Sequence, residues 1–247
     1  MNSLSKTDKT ALAALLVGAV LTTAAFLFTF LVTPLVNGAA VEGTFINGVF
    51  VENKLLLSQK IFYFHVPVAI TSFCALTVAA VYGIRYLMTR NERHDLRSRV
   101  GMEVTLVFII MTMLSGDLWT RFEWGVWWVW EPRLTTYFIL MLLVIAYFIL
   151  RTSIDAPDRK ATVAAVFGII ALIDAPICFL VTRLVPTSIH PVVFRTDSGL
   201  PLLMLLPFLL ALFGMVLIGF AVFRMRLRQA SLAERLEALK LQIEEEL

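Results

Sequence analysis

The residues of this chain best suited to binding chemistry are its tryptophans, because all five fall within one window of twelve residues. They are Trp119, Trp124, Trp127, Trp128 and Trp130. Tryptophan normally collects at both edges of a membrane protein, so an ordinary aromatic belt would scatter these side chains over several helix ends. Large, rigid and flat side chains concentrated in one connection instead indicate a binding surface for a large, flat, apolar ligand.

Two of the three histidines are predicted to lie on the same membrane face as the tryptophans. His65 precedes Val66-Pro67 at the start of an apolar run, and His190 lies in the connection before the last apolar run. Heme iron takes axial nitrogen ligands, and two imidazoles complete its coordination shell. Together with the flat aromatic residues, these side chains predict a heme site with His65 and His190 as axial ligands. Alternatively, each histidine forms a hydrogen bond near a lipid headgroup. His94 lies among charged residues and is expected to be solvated.

Cations and a carboxylate complete the candidate site. Heme propionates need positive partners, and six lysines and arginines belong to the same predicted face: Lys54, Lys60, Arg121, Arg133, Arg183 and Arg195. If residues 124–131 were helical, Trp124, Trp127, Trp128 and Glu131 would share one face. Pro132 suits the first turn of the helix that follows, although Glu131 is not a preferred N-cap residue.

The elements that position these residues are membrane-spanning helices. Of the 247 residues, 59% are hydrophobic and the mean hydropathy is +0.84, which excludes an ordinary soluble domain. The charge-free stretches predict an all-α integral membrane protein with six transmembrane helices, at about 11–35, 62–86, 101–118, 133–150, 161–183 and 200–223. The tryptophan-rich motif then falls in a short outer helix or loop. Dispersed basic residues give no sign of a nucleic-acid partner, and the absence of Cys-x-x-Cys-His excludes c-type attachment of heme to this chain.

The charge distribution predicts that both termini face the cytoplasm. With the N-terminus inside, 15 of the lysines and arginines lie on the inner side and 6 on the outer side. Residues 1–223 are predicted to form the membrane domain and residues 224–247 a cytoplasmic amphipathic helix. A capping-box pattern, Ser231 to Glu234, precedes an apolar stripe in this tail. The stripe either lies along the membrane or inner loops, or docks a cytoplasmic partner.

Asp174 is the one carboxylate well inside a predicted span. Two interpretations stay open, a functional acid and a satisfied buried partner of an arginine or hydroxyl.

Residues 124–135 resemble a known motif over the whole length of that motif. Trp124-Gly-Val-Trp127-Trp128-Val-Trp130-Glu-Pro-Arg133-Leu-Thr matches the pattern WGxWWxWDxRLT of heme-handling membrane proteins of cytochrome c biogenesis. With six spans and an outer histidine before spans two and six, the chain resembles the CcmC family. Glu131-Pro132 departs from the motif, whose usual residue is Asp. We expect a contact set by the shorter carboxylate of Asp to be lost or shifted here.

The resemblance implies a function, a cofactor and partners. Heme of the b type would be held non-covalently and transiently by His65, His190 and the tryptophan motif, at the outer face of a bacterial inner membrane. It would then pass to a periplasmic heme chaperone. Further implied partners are an ABC-type ATPase, its membrane subunit and a small single-span protein, besides the membrane lipid. The chain itself is predicted to be no enzyme, since it has no P-loop. The alternative is an electron-transfer subunit with permanent b-type heme.

Overall fold

Six long helices and one short hairpin make up the part of the chain that the computed structural model describes, which is residues 6–34, 41–46, 49–53, 57–185, 188, 190 and 200–246. The helices are α1 (Lys6–Leu31), α2 (Phe62–Thr89), α3 (Glu92–Glu123), α4 (Pro132–Ser153), α5 (Pro157–Leu184) and α6 (Leu202–Glu246). The antiparallel strands β1 (Val41–Ile46) and β2 (Val49–Asn53) follow α1, and a 3-10 helix at Leu57–Ile61 leads into α2.

All six helices are long and apolar enough to cross a membrane, which confirms the predicted all-helical membrane fold. The hairpin was not among the predictions. Its signal is present in the sequence, because Asn47-Gly48 stands between two short apolar segments and is a strong indication of a two-residue hairpin turn.

Small residues let the helices approach one another closely. Gly18 of α1 lies against Gly214 of α6, where an added Cβ would come within 2.8 Å of the Gly214 carbonyl oxygen. Gly101 of α3 lies against Ala79 of α2, with a corresponding distance of 3.0 Å to the Ala79 Cβ. Close backbone approach through small residues is the common basis of helix association in membranes, where water exclusion contributes little.

The helix connections define two ends of the bundle. The tryptophan end comprises residues 124–131, 188 and 190. The tail end comprises the turns at 90–91 and 154–156 and the helix beyond residue 223. Local chemistry fixes the turns at the tail end: Arg90 ends α2 in the left-handed region with φ of 55°, and the Asn91 side chain accepts a hydrogen bond from Arg93 N at 3.0 Å to begin α3.

The tail does not form a separate helix. α6 runs for 45 residues without a break at 224 or at Ser231, so the predicted capping box begins no helix. Apolar residues at the membrane and good helix formers in the tail let one helix continue through the interface. Glu234 of this extension accepts a hydrogen bond from Arg99 of α3 at 3.2 Å.

Candidate functional site

A mostly apolar cavity at the tryptophan end brings most of the predicted site residues together. Its volume is about 280 Å³, close to the lower bound of roughly 300 Å³ typical of small-molecule sites. Helices α2, α3, α4 and α5 supply its walls. The predicted residues that line it are His65, Trp119, Trp128, Arg133 and His190.

His65 lies in the first turn of α2, and its ring contacts a hydroxyl of α3. The His65 Nδ1 lies 3.0 Å from the Ser115 Oγ, which is also 2.8 Å from the Met111 carbonyl oxygen. In the tautomer with a protonated Nδ1, this nitrogen donates to the Ser115 oxygen while the Ser115 hydroxyl donates to Met111. The lone pair of that tautomer is on Nε2, which can then bind a metal. Gly116 makes room for this ring, since an added Cβ there would lie 3.1 Å from the His65 Cε1.

His190 approaches the same cavity from the connection between α5 and α6. Its ring lies against Trp119 and Trp124, with centroids 5.7 and 6.5 Å apart. The His190 Nδ1 is shielded from solvent and has no hydrogen-bond partner among the described residues. Burial, with further contributions from the charge of Arg133 and from His65, holds the pKa of His190 well below its ordinary value. This second imidazole is thus neutral at physiological pH.

The tryptophan segment is a loop, one of the two predicted alternatives, so the shared face that a helix would give Trp124, Trp127, Trp128 and Glu131 does not form. α3 ends at Glu123, and residues 124–131 form bends and irregular chain, with Gly125 at φ of 73°. The Thr120 hydroxyl donates to the Trp127 carbonyl oxygen at 2.9 Å. This bond to the preceding helix holds the segment in its irregular path.

The five indoles divide into inward and outward groups. Trp119 and Trp124 pack edge to face at 5.0 Å, and Trp124 is buried. Trp128 lines the cavity, and its buried Nε1 has no hydrogen-bond partner among the described residues. Trp127 and Trp130 are 60% and 63% exposed. Of the predicted platform, Trp119 and Trp128 therefore line the cavity, Trp124 packs beside Trp119, and the other two indoles are exposed.

Glu131 connects the tryptophan segment to the histidine connection. Its Oε2 accepts from the backbone nitrogens of Arg133 and Leu134 at 3.0 and 3.1 Å, so Glu131 is the N-cap of α4 despite its low preference for that position. Pro132 occupies the first turn, as predicted. The Glu131 Oε1 accepts a hydrogen bond from the hydroxyl of Ser188, two residues before His190. One carboxylate oxygen of Glu131 thus caps α4, and the other bonds to the connection that contains His190.

The predicted cations have different positions. Arg133 and Arg183 line the cavity, and the Arg133 guanidinium forms no hydrogen bond with any described residue. Arg121 lies outside the cavity lining, donates to the Gly125 carbonyl oxygen and stands 6.0 Å above the Trp127 ring. Lys60 donates to the Thr29 carbonyl oxygen at 2.7 Å and caps the end of α1. Lys54 and Arg195 lie outside the described residues.

Several polar residues in or beside the cavity were not predicted from the sequence. Ser115 contacts His65 without lining the cavity, and Tyr137 of α4, which does line it, has its hydroxyl 2.9 Å from the Ser72 Oγ. The signal in the sequence that could have identified these residues is a hydroxyl side chain within an apolar span. Asp174 accepts a hydrogen bond from the Cys178 Sγ at 3.3 Å, and Cys178 rather than Asp174 lines the cavity. This contact favours the structural interpretation of Asp174.

The fold defines a multi-pass membrane protein with a cavity at one end that is lined in part by indoles and imidazoles. Comparison with known proteins identifies the family. The family described as "CcmC: Heme exporter protein C" matches residues 8–242, and the chain belongs to this family.

Individual relatives share 27–32% sequence identity with this chain over the matched regions. The chain is 32% identical over 118 residues to heme exporter protein C of Bradyrhizobium diazoefficiens, which covers 48% of this chain and 45% of the relative. It is 27% identical over 174 residues to heme exporter protein C of Escherichia coli strain K12, covering 69% of each chain. A ccmC-like mitochondrial protein of Arabidopsis thaliana is 32% identical over 120 residues, covering 49% of this chain and 44% of that protein. The matched region thus spans about half the length of several curated relatives.

Proposed function

We propose that this protein binds heme between His65 and His190 at the outer face of a bacterial inner membrane and delivers it to a periplasmic heme chaperone. The observation that carries the proposal is the pair of imidazoles at one cavity. The hydrogen bond to Ser115 leaves the His65 Nε2 free to ligate iron, and the neutral His190 ring has a buried nitrogen without a partner among the described residues. Names of the relatives, heme exporter protein C, agree with this cargo.

The cavity walls suit a porphyrin that is held without a covalent bond. Trp119 and Trp128 offer flat apolar surface, and the Arg133 guanidinium offers five donors that no described residue uses. A propionate carboxylate matches the planar geometry of such a guanidinium. Heme of the b type would therefore be oriented with its acidic edge toward Arg133. Through the hydrogen bond from Ser188, Glu131 would hold the connection that contains His190 in place beside the cavity.

Delivery is expected to use the exposed indoles beside the cavity. Trp127 and Trp130 present large apolar faces next to the bound ligand, where a chaperone would have to approach. Variants with Trp127→Ala and Trp130→Ala should keep their heme but transfer it more slowly to a purified periplasmic heme chaperone. Loss of heme from this double variant would contradict the separation of binding from delivery.

The orientation and the assembly belong to the same proposal. Fifteen basic residues against six favour a tail end in the cytoplasm, which puts the tryptophan end in the periplasm. Residues 1–223 would act as the membrane domain and residues 224–247 as a cytoplasmic extension. The proposed partners are the chaperone, an ABC-type ATPase with its membrane subunit, and a small single-span protein. The chain would bind and deliver heme, while a partner would hydrolyse ATP.

A permanent electron-transfer heme is the weaker hypothesis. Two hemes stacked across a bilayer need four histidines, and the chain has three. His94 belongs to the tail end and its Nδ1 lies 3.1 Å from the Thr89 hydroxyl. Only the tryptophan end therefore has a pair of imidazoles.

Absorption spectra of the detergent-purified protein, oxidised and reduced, test the proposed site. We expect the wild type to carry a six-coordinate heme that the His65→Ala/His190→Ala variant loses. Each single variant should retain heme weakly, and His94→Ala should match the wild type. Equal heme content in all of these variants would refute the ligand assignment.

A further inference from the structure

We propose that the extension of α6 beyond the bundle is a docking surface for an amphipathic helix whose apolar seam is flanked by acidic residues. The surface consists of Leu232, Leu236, Leu239 and Ile243, and we call it the tail seam. All four side chains are more than half exposed. The inference is independent of the heme site and concerns a partner at the tail end.

The spacing of the tail seam is that of a helix-pairing surface. Intervals of four, three and four residues place the four side chains within an arc of about 60° on an α-helix. Over this length the seam extends about 17 Å along the helix axis. Such a narrow seam is typical of two-stranded helix packing rather than of a helix that buries a wide face.

The rotation of α6 directs the tail seam away from the bundle. Glu234 lies roughly 200° around the helix from Leu232 and accepts a hydrogen bond from Arg99 of α3. Ala230, on the same rear side, is buried. Because the rear face is turned toward α3, the seam faces outward, where no described residue covers it.

The continuity of α6 argues against the membrane surface as the occupant. To lie along the lipid headgroups, the tail would have to break away from the spanning helix between residues 224 and 231. α6 is helical throughout that region, and the contact between Arg99 and Glu234 joins the extension to α3 beyond it. A helix that continues in this way carries its apolar seam away from the bilayer.

The charges beside the tail seam define the chemistry of the partner. Arg235 and Lys240 flank the seam on its two sides, at the positions that choose partners in paired helices. Arg235 forms no ion pair with any described residue, whereas Lys240 also bonds Glu237 at 2.8 Å. The remaining glutamates of described position, Glu237, Glu244 and Glu245, lie toward the rear. The positively charged side chains beside the tail seam are electrostatically complementary to acidic side chains beside the apolar seam of a partner helix.

A second copy of this chain does not meet that requirement. In a parallel pair of helices, Arg235 of one copy would face Lys240 of the other across the seam. Facing like charges destabilise such a pair. The occupant is therefore a helix of a different protein, with leucine or isoleucine in its seam and glutamate or aspartate at its flanks.

Binding of two designed peptides to the full-length protein tests the proposal. The protein is placed in nanodiscs of zwitterionic lipid, and fluorescence anisotropy follows two four-heptad peptides with Ile and Leu seams, one with Glu and one with Lys at the flanking positions. We expect the Glu peptide to bind at least about tenfold more tightly at low salt, because the flanking charges are complementary. The double variant Arg235→Glu/Lys240→Glu should reverse the preference. Leu236→Gln/Leu239→Gln should abolish binding of both peptides while leaving heme loading unchanged.

Three outcomes would overturn the proposal. Equal binding of the two peptides would mean that the flanks do not select a partner. A Leu239→Cys variant, in a background with Cys74→Ala and Cys178→Ala, would form a disulfide-linked dimer if the seam pairs with itself. A polarity-sensitive dye at the same cysteine would report an apolar environment in anionic nanodiscs without peptide if the tail lies on lipid. Far-UV circular dichroism and a single symmetric elution peak in detergent serve as the test of folding in every variant, so failure here leaves the proposed heme site unaffected.

Discussion

The two ends of this helix bundle differ in how they treat buried polar side chains. At the tryptophan end, the His190 Nδ1 and the Trp128 Nε1 are buried without a partner among the described residues, and the Arg133 guanidinium forms no hydrogen bond with any of these residues. At the tail end, Arg151 donates twice to the two carboxylate oxygens of Asp95, each bond 2.7 Å long. The Nε atoms of Arg99 and Arg224 are also buried there without a partner among the described residues, so the contrast is between the cavity residues and this ion pair.

This contrast indicates that the tryptophan end binds a ligand, whereas the tail end holds the helices together. A buried polar atom without a partner costs free energy, so several of them around one cavity indicate that a ligand supplies the missing contacts. The ion pair of Arg151 and Asp95 instead joins α4 to α3, and the Ser98 hydroxyl joins α3 to α2 by donating to the Ala79 carbonyl oxygen at 2.8 Å. Stability and heme retention should therefore respond to different substitutions.

The largest effect on stability is expected from breaking the tail-end ion pair. Arg151→Met leaves the Asp95 carboxylate, 19% exposed, without its cation. Removing one member of a buried pair costs about 3–5 kcal/mol, so the free energy of unfolding should fall by that order. Denaturant unfolding in detergent measures the change. The heme content per folded molecule should stay at the wild-type level.

A second variant distinguishes the lost pair from a general packing defect. Arg151→Met/Asp95→Leu removes both charges and should recover most of the stability, because no unpaired charge remains. If heme retention fell in parallel with stability in either variant, the two ends would not be independent.

Substitutions of Glu131 test how the tryptophan end contributes to stability and to heme retention. Glu131→Ala removes the N-cap of α4 and the bond from Ser188, and should lower the free energy of unfolding by about 1–2 kcal/mol together with heme retention. Glu131→Asp restores the usual residue of the motif and a preferred N-cap. Its shorter side chain should keep stability near the wild type while loosening the His190 connection. Thermal unfolding and heme titration of both variants test this. Wild-type heme affinity in Glu131→Ala would show that Ser188 positions nothing.

The number of spans could be predicted because a bilayer requires long apolar helices and leaves few alternatives. Some helix ends, such as the start of α2 at Phe62 and the end of α5 at Leu184, were predicted to within one residue, but others were not. α3 begins at Glu92, nine residues before the predicted position 101, and α6 continues to Glu246, because charged residues in water extend a helix that an apolar span has already nucleated.

For the site, residue types were predictable and their arrangement was not. His65, His190 and the tryptophans stand out by type and spacing, and the cavity brings most of them together. The irregular path after Glu123 depends on tertiary bonds, such as that from Thr120 to Trp127, which periodicity does not encode. Ser115 was overlooked because a single hydroxyl within a span gives no sign of the ring that it contacts.

Ser115 provides a smaller test of the contrast between the ends. Ser115→Ala removes the acceptor that holds the His65 Nδ1–H, so the ring loses its fixed orientation toward the cavity. Loss of such a supporting hydrogen bond typically weakens metal binding about tenfold or more, and heme titration should show a change of that order. Ser98→Ala is the matched control, because it removes a buried hydroxyl at the tail end and should leave heme affinity unchanged. Equal effects of the two substitutions would argue against a positioning role for Ser115.

The smallest expected effect is a pH dependence of the heme-free protein. The folded protein holds the pKa of His190 well below 6.5, whereas in the unfolded chain the imidazole takes up its proton at about that value. Below pH 6.5 the unfolded state therefore binds more protons, so stability falls as the pH decreases and reaches its full value above this range. His190→Gln should reduce the dependence of the unfolding free energy on pH between pH 7 and pH 5, and His94→Gln, at the tail end, should not. A wild-type slope that survives His190→Gln would assign the proton uptake to another group.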